Sequence, residues 1–138
     1  MTPYGYYNGW CFPKNIDYYS ATIPIETVDK KIQENWLSTY DYFSKKLTLY
    51  HKGKQLVLKN PANTARIKLL LSRYPQANLV HISRNPYDVF SSMQKFISIV
   101  LPRYCIQTPP SQQRLQQVIF NVYHDRNTSY LQQKKPSR

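Results

Sequence analysis

Two short stretches of the sequence place a cation, an asparagine and a proline in the same order. The triplet Lys59-Asn60-Pro61 follows an apolar run at residues 55–58, and the triplet Arg84-Asn85-Pro86 follows another at residues 77–83. Asn is favoured at a helix N-cap, and Pro is favoured at the first helical position because its missing N–H would have no partner there. Each stretch therefore predicts a strand, then a cation, then the start of a helix.

This repeated frame predicts a binding site for a ligand with several negative charges. Consecutive strands joined by a helix run parallel, so both would end at the same edge of a sheet, where ligands of such sheets bind. Lys59 and Arg84 would lie there beside two helix N-termini, which bind anions. The alternative is that either cation merely lies in solvent at a strand end. The repetition favours the site.

Two serines lie in the second turn of the helix predicted after Arg84. Side chains on a helix lean toward its N-terminus, so a hydroxyl at Ser91 or Ser92 can reach back toward an anion bound there. Periodicity alone does not choose between the two serines.

The elements that would position these residues follow from apolar spacing and from proline. Val28, Ile32, Trp36 and Tyr40 predict a helix over residues 27–47, beginning at Thr27 or Glu26. Helices are also predicted over residues 61–74, 86–100 and 112–132, the first two ended by Pro75 and Pro102 and the last capped by Ser111.

These elements predict a single domain over residues 1–138. Residues 1–54 would be irregular and then helical. Residues 55–101 would form the anion-binding strand–helix–strand–helix core, and residues 111–132 the C-terminal helix. The predicted fold class is α/β.

Charge and composition restrict the class of partner. The net charge is +12, and from Tyr42 onward sixteen Lys or Arg accompany only two acids, Asp88 and Asp125. Such a field attracts polyanions. The 41% hydrophobic content excludes a disordered chain. No apolar run reaches the roughly 18 residues of a membrane span, and residues 1–10 do not resemble a signal peptide, so we expect a cytoplasmic protein without a membrane partner. Cys11 and Cys105 fit neither a zinc spacing nor a disulfide framework, and no metal is implied.

The two motifs resemble those of the sulfotransferase family, most closely its bacterial branch similar to tyrosylprotein sulfotransferases. The segments that carry the resemblance are LVLKNPANTAR at residues 56–66, YPQAN at residues 74–78 and HISRNPYDVFSS at residues 81–92. The resemblance implies an enzyme that transfers a sulfuryl group from 3'-phosphoadenylyl sulfate to a hydroxyl or amine. It also implies a partial P-loop-kinase-like parallel sheet with flanking helices.

The resemblance implies a role for three residues. Arg84 and Ser92 match the pair that holds the 3'-phosphate of the cofactor, which selects Ser92 over Ser91. Lys59 matches a lysine placed near the transferring group, where a cation stabilises developing charge. Many relatives carry a histidine at the position of Asn63, and Asn cannot act as a base.

One motif of the family is missing. The chain has three glycines, and none lies in a loop of the kind that cradles the 5'-phosphosulfate. We therefore expect an internal fragment of a sulfotransferase, weak or inactive alone unless a partner chain supplies that loop.

Two other functions compete with this interpretation. The basic region and thirteen tyrosines suit a nucleic-acid-binding module without catalysis, but no sequence signature of such a module is present and no specific nucleic acid is expected. A P-loop kinase relative would need a Gly-x-x-x-x-Gly-Lys-Ser/Thr loop, which the chain lacks.

Overall fold

The computed structural model describes residues 8–134, and this part of the chain is mainly helical. The α-helices are α1 (Asn8–Cys11), α2 (Ile16–Ser20), α3 (Lys30–Tyr50), α4 (Ile67–Arg73), α5 (Pro86–Tyr104) and α6 (Gln112–Gln133). Short 3₁₀ helices lie at Pro13–Asn15, Ile25–Thr27 and Pro61–Ala65. None of the helices in this part of the chain is long and apolar enough to cross a membrane.

The α/β fold class, with a partial P-loop-kinase-like parallel sheet, was the wrong prediction. No residue between 8 and 134 belongs to a β-strand, and the two predicted strands lie in segments without helix or strand at residues 54–60 and 77–85. Val57 is 93% exposed and Ile82 is 87% exposed. An apolar run becomes a strand only when a neighbouring strand pairs with its backbone and covers one face. Neither segment has such a neighbour among the described residues.

The main hydrophobic cluster lies between α5 and α6. Ile97 and Leu101 of α5 pack against Ile119 of α6, and all three are buried. Five partly buried side chains pack around them: Trp10 of α1, Phe90 and Met93 of α5, Cys105 at the end of α5, and Leu115 of α6. Spacings of three and four along α5 place these apolar residues on one face.

Helix α3 begins three residues later than predicted. Val28 is extended, with ψ of 165°, and this interrupts the helical path between the 3₁₀ helix Ile25–Thr27 and α3. Asp29 is the N-cap, and its side chain accepts a hydrogen bond from the amide of Lys31 at 2.8 Å. The helix ends in a turn with Gly53 at φ of 77°, where its amide bonds the carbonyl oxygen of Thr48.

The helix predicted over residues 61–74 is divided in two at Arg66. The 3₁₀ helix Pro61–Ala65 ends there, because Arg66 takes φ of −133° and directs its side chain into the protein. The guanidinium donates to the carbonyl oxygens of Thr22 at 3.0 Å and Ile23 at 3.3 Å. It also lies 4.6 Å from the ring centre of Trp36. Arg66 therefore joins three parts of the chain.

Burial changes the acid–base behaviour of Arg66 without removing its charge. The side chain is 4% exposed, and this desolvation lowers the pKa of Arg66 to about 10. The group therefore remains protonated at neutral pH. Its partners are carbonyl dipoles and an aromatic face, and no carboxylate of the described residues pairs with it.

A second tie joins α3 to α4. Asp41 receives hydrogen bonds from Arg73 at 2.7 Å and from the Tyr74 hydroxyl at 3.1 Å, and it pairs with Lys45 at 2.8 Å. The hydrogen bond from Arg73, followed by that from Lys45, holds the pKa of Asp41 well below its ordinary value. The stability that this tie contributes is therefore complete above the ordinary pKa of an aspartate, and it is lost progressively as the pH falls from there toward the lowered pKa of Asp41.

Helix α5 continues through Pro102, where the sequence predicted its end. Proline in the last turn removes only one hydrogen bond, and its fixed φ suits a helix. Buried Leu101 holds this turn against the core, and its carbonyl oxygen accepts from the amide of Cys105 at 2.9 Å. Helix α6 agrees with its prediction to within one residue, and Ser111 caps it by accepting from Arg114.

Replacement of Arg66 by Met should destabilise the protein by about 2–4 kcal/mol. The change keeps a long apolar stem but removes the buried hydrogen bonds from the guanidinium to the carbonyl groups of Thr22 and Ile23 and its contact with the Trp36 ring. Urea unfolding of both proteins measures the difference. The matched control is Arg103→Met, at an exposed position, which should change stability by less than about 0.5 kcal/mol. Equal effects of the two variants would contradict the role given to Arg66.

Candidate functional site

Lys59 lies near the end of the segment at residues 54–60, before the 3₁₀ helix Pro61–Ala65. Its side chain is exposed and forms no ion pair with the described residues. Asn60 caps the helix as predicted, with its side-chain oxygen accepting from the amide of Ala62 at 3.0 Å. The cation is therefore presented to solvent at the start of a short helix.

Arg84 has the same local setting in front of α5. It is exposed, and Asn85 caps α5 by accepting from the amide of Tyr87 at 2.9 Å. Pro86 occupies the first helical position, and Asp88 lies in the first turn. Both predicted Asn-Pro helix starts are thus confirmed. The difference is that α5 is a long α-helix, whereas Lys59 precedes a short 3₁₀ turn.

Ser92 lies on the outer face of α5. It is nine residues before buried Leu101, which is half a turn around the helix axis at 3.6 residues per turn. Asp88 and Lys95, four residues before and three residues after it, share this face. Ser91 is also exposed. The geometry therefore leaves Ser92 accessible to a ligand and does not by itself exclude Ser91.

The last turns of α6 hold both cation-bearing segments. The Gln133 side chain donates to the carbonyl oxygen of Ala65 at 3.3 Å and accepts from the amide of Lys68 at 3.1 Å. Three residues earlier, the Tyr130 ring stacks on His81, with 3.9 Å between ring centres and 17° between ring planes. Residues three apart lie on one face of a helix, so a single face of α6 contacts the segments that follow Lys59 and precede Arg84.

These contacts with α6, and not a sheet edge, position the segments that carry Lys59 and Arg84. His81 lies in the second predicted strand, and in the structure it is exposed and stacked on the Tyr130 ring. Neither Tyr130 nor Gln133 stood out in the sequence. Their only signal is the spacing of three on a helix, which many pairs of surface residues share.

Asn63 lies where the resemblance implies a histidine in many relatives. Its amide nitrogen donates to the Tyr40 hydroxyl at 3.3 Å, and its side-chain oxygen is buried without a hydrogen-bond partner among the described residues. The side chain therefore contacts α3. An amide has no basic nitrogen, so it does not accept a proton from a substrate.

A shallow aromatic depression lies on α3 beside this contact. It has a volume of about 180 Å³ and is lined by Trp36, Thr39, Tyr40 and Phe43. No Lys or Arg lines it, so we do not expect a polyanion to bind there. The described residues contain no cluster of His, Cys, Asp and Glu that could hold a metal ion.

The exposed cations of the two motifs lie in a basic surround. Of the acids after residue 41, Asp125 faces His124, and only Asp88 lies near the start of α5. Anions are therefore attracted to this part of the protein from a distance, and the free amides at the start of α5 add a local positive dipole. The arrangement suits the binding of phosphate or sulfate groups.

Comparison with known proteins shows which family uses these motifs. The model of the sulfotransferase family matches residues 14–134, which is most of the chain. Omega-hydroxy-beta-dihydromenaquinone-9 sulfotransferases of Mycobacterium bovis and Mycobacterium tuberculosis are each 36% identical to this chain over 81 residues. The match covers 59% of this chain and 21% of either relative, so the chain spans about a fifth of their length. No solved structure matches.

The resemblance found in the two cation-Asn-Pro motifs is thereby confirmed at the level of the family. The matched region includes both motifs, both Asn-capped helix starts and the face of α6 that contacts them. Members of this family are transferases. The chain belongs to the sulfotransferase family.

Proposed function

We propose that this chain takes part in transferring a sulfuryl group from 3'-phosphoadenylyl sulfate to a hydroxyl or amine acceptor. Arg84 and Ser92 would bind the 3'-phosphate of the donor, and Lys59 would stabilise the transferring group. The observation that carries the proposal is the pair of exposed cations, each directly before an Asn-capped helix start, in a member of the sulfotransferase family.

Arg84 suits the 3'-phosphate because of its geometry and its position. A guanidinium can donate two parallel hydrogen bonds to phosphate oxygens, and an exposed one pays little to reach a ligand. The N-terminus of α5 adds a positive dipole beside it. Ser92, on the outer face of the same helix, would donate its hydroxyl to a further phosphate oxygen.

Lys59 suits a different role. During sulfuryl transfer, the bond between sulfur and the bridging oxygen of the donor breaks, and negative charge develops on that oxygen. An ammonium group beside it stabilises the transition state more than the ground state, which is the condition for raising the rate. Because Lys59 forms no ion pair with the described residues, no carboxylate among them offsets its charge.

The donor also accounts for the basic composition without a nucleic acid. It carries phosphate and sulfate groups, and its product carries the phosphates alone, so both are attracted by the same field. For the acceptor, the named substrate of the two mycobacterial relatives carries an omega-hydroxyl group. A hydroxylated isoprenoid quinone is therefore the first acceptor to test.

Replacement of Arg84 by Ala should weaken binding of 3',5'-adenosine bisphosphate by about 10- to 100-fold. This range follows from losing one or two hydrogen bonds between charged groups. Isothermal titration calorimetry measures the affinity. Ser92→Ala should cost about threefold to tenfold, and Ser91→Ala less than twofold.

The matched control for Arg84 is Arg103→Ala, at the opposite end of α5. Arg103 is also exposed, so its removal changes the net charge equally. It should weaken binding by less than about twofold at physiological salt, because distant surface charges are screened. Equal losses in the two variants would assign the binding to net charge and contradict a site at Arg84.

Replacement of Tyr130 by Leu should weaken binding of the same nucleotide by about twofold to tenfold, because the stacked ring holds the segment that carries Arg84. Tyr130→Phe keeps the ring and should restore the affinity. Phe120→Leu is the control, since Phe120 also lies against a histidine, His124, elsewhere on α6. Failure of Tyr130→Phe to restore binding would contradict a positioning role for the ring.

Replacement of Lys59 by Ala should lower the rate of sulfuryl transfer at least 100-fold while changing nucleotide affinity less than threefold. Transfer from radiolabelled 3'-phosphoadenylyl sulfate to a hydroxylated isoprenoid quinone measures the rate. Lys54→Ala is the control, at another exposed lysine of the same segment. A rate for Lys59→Ala equal to that of Lys54→Ala would show that Lys59 has no part in catalysis.

A further inference from the structure

The two cysteines of the chain lie close together in the folded protein. Cys11 is the last residue of α1, and Cys105 caps the C-terminal end of α5, with 93 residues between them in sequence. Both thiols are free and half-exposed. Their distance in sequence gave no reason to expect this neighbourhood.

A backbone hydrogen bond limits the distance between them. The amide of Ile106 donates to the carbonyl oxygen of Cys11 at 3.0 Å. In a trans peptide the Cα of a residue lies on the same side as the next amide hydrogen, so the Cα of Cys105 lies beside this bond. Ordinary peptide dimensions and hydrogen-bond angles then keep the two cysteine Cα atoms within about 7 Å of each other, a limit that covers the distances that disulfides span.

Further contacts hold the two segments in this register. The amide of Lys14 donates to the side-chain oxygen of Gln107 at 3.1 Å, which is a second bond across the same junction. Trp10 and Cys105 both pack against the buried cluster formed by Ile97, Leu101 and Ile119. The junction is therefore fixed on both sides of the cysteine pair, and the partial exposure leaves the thiols open to small reagents.

We propose that Cys11 and Cys105 are a site of reversible oxidation and form an internal disulfide by exchange with a low-molecular-weight disulfide such as oxidised glutathione. One cysteine thiolate attacks the reagent, giving a mixed disulfide and releasing one glutathione thiolate. The second cysteine thiolate attacks the protein sulfur of that mixed disulfide and releases the other glutathione thiolate. Two protein thiols are oxidised and one reagent disulfide is reduced, and the two protons that the cysteine thiols lose are taken up by the two released glutathione thiolates.

The bond would link α1 to the C-terminal end of α5 and would close a loop that contains α2, α3, α4 and α5. Closing so long a loop restricts the unfolded chain strongly and the folded chain little. The oxidised protein should therefore melt several degrees higher than the reduced protein. This proposal is independent of the proposed function, since neither cysteine belongs to the candidate site.

The test is equilibration of the full chain with glutathione redox buffers, followed by acid quenching and intact mass spectrometry. The folded protein should lose about 2 Da, for two hydrogens, without a glutathione adduct. The effective concentration of the two thiols, from the ratio of internal disulfide to free thiols, should be at least tenfold higher in buffer than in concentrated urea. Cys11→Ser and Cys105→Ser should each accept one glutathione and stop there.

Three outcomes would overturn the proposal. They are accumulation of doubly glutathionylated protein without the internal disulfide, formation of disulfide-linked dimers in its place, and an effective concentration in buffer no higher than in urea. The first would mean that the sulfur atoms do not reach each other in the folded state. The last would mean that folding does not bring the two cysteines together.

Discussion

The buried amide of Gln133 is hydrogen-bonded through both its oxygen and its nitrogen to the backbone on either side of Arg66, and the placement of the first motif depends on this contact. The bend at Arg66 leaves the carbonyl of Ala65 and the amide of Lys68 outside a continuous helix. Buried backbone groups need partners, and a side-chain amide can serve one donor and one acceptor at once. Helix α6 is thereby docked on the 3₁₀ helix that follows Lys59.

The candidate site combines rigid positioning with exposed chemistry. Asn60 and Asn85 set the starts of two helices through local hydrogen bonds, while α6 holds the flanking segments through Gln133 and Tyr130. The cations themselves remain in solvent. An exposed Lys or Arg loses little hydration when it meets an anion. The protein therefore contributes to binding by fixing the backbone from which these side chains extend. Exposed, positioned cations are consistent with a sulfotransferase, since a sulfuryl donor is negatively charged.

The helices and their caps could be predicted because they depend on neighbouring residues. Asn before Pro, Ser111 before a polar turn and the apolar spacing of α3 each act within one or two turns of the chain. The errors arose where distant groups intervened. Arg66 bends its helix to reach carbonyl groups more than forty residues away, and buried Leu101 keeps α5 helical through Pro102. The predicted strands failed because pairing needs a second strand, which no apolar run supplies by itself.

The sequence alone determined the family and the two cation-Asn-Pro motifs, and it predicted which residues bind and react. Each motif is contiguous in the chain, and its chemistry depends only on the types of its side chains and on their short spacing. Only the tertiary structure decided that no sheet forms among the described residues, that one face of α6 contacts both motif segments, and that Cys11 lies beside Cys105. Each of these depends on contacts between residues far apart in sequence, whose energies no local pattern contains.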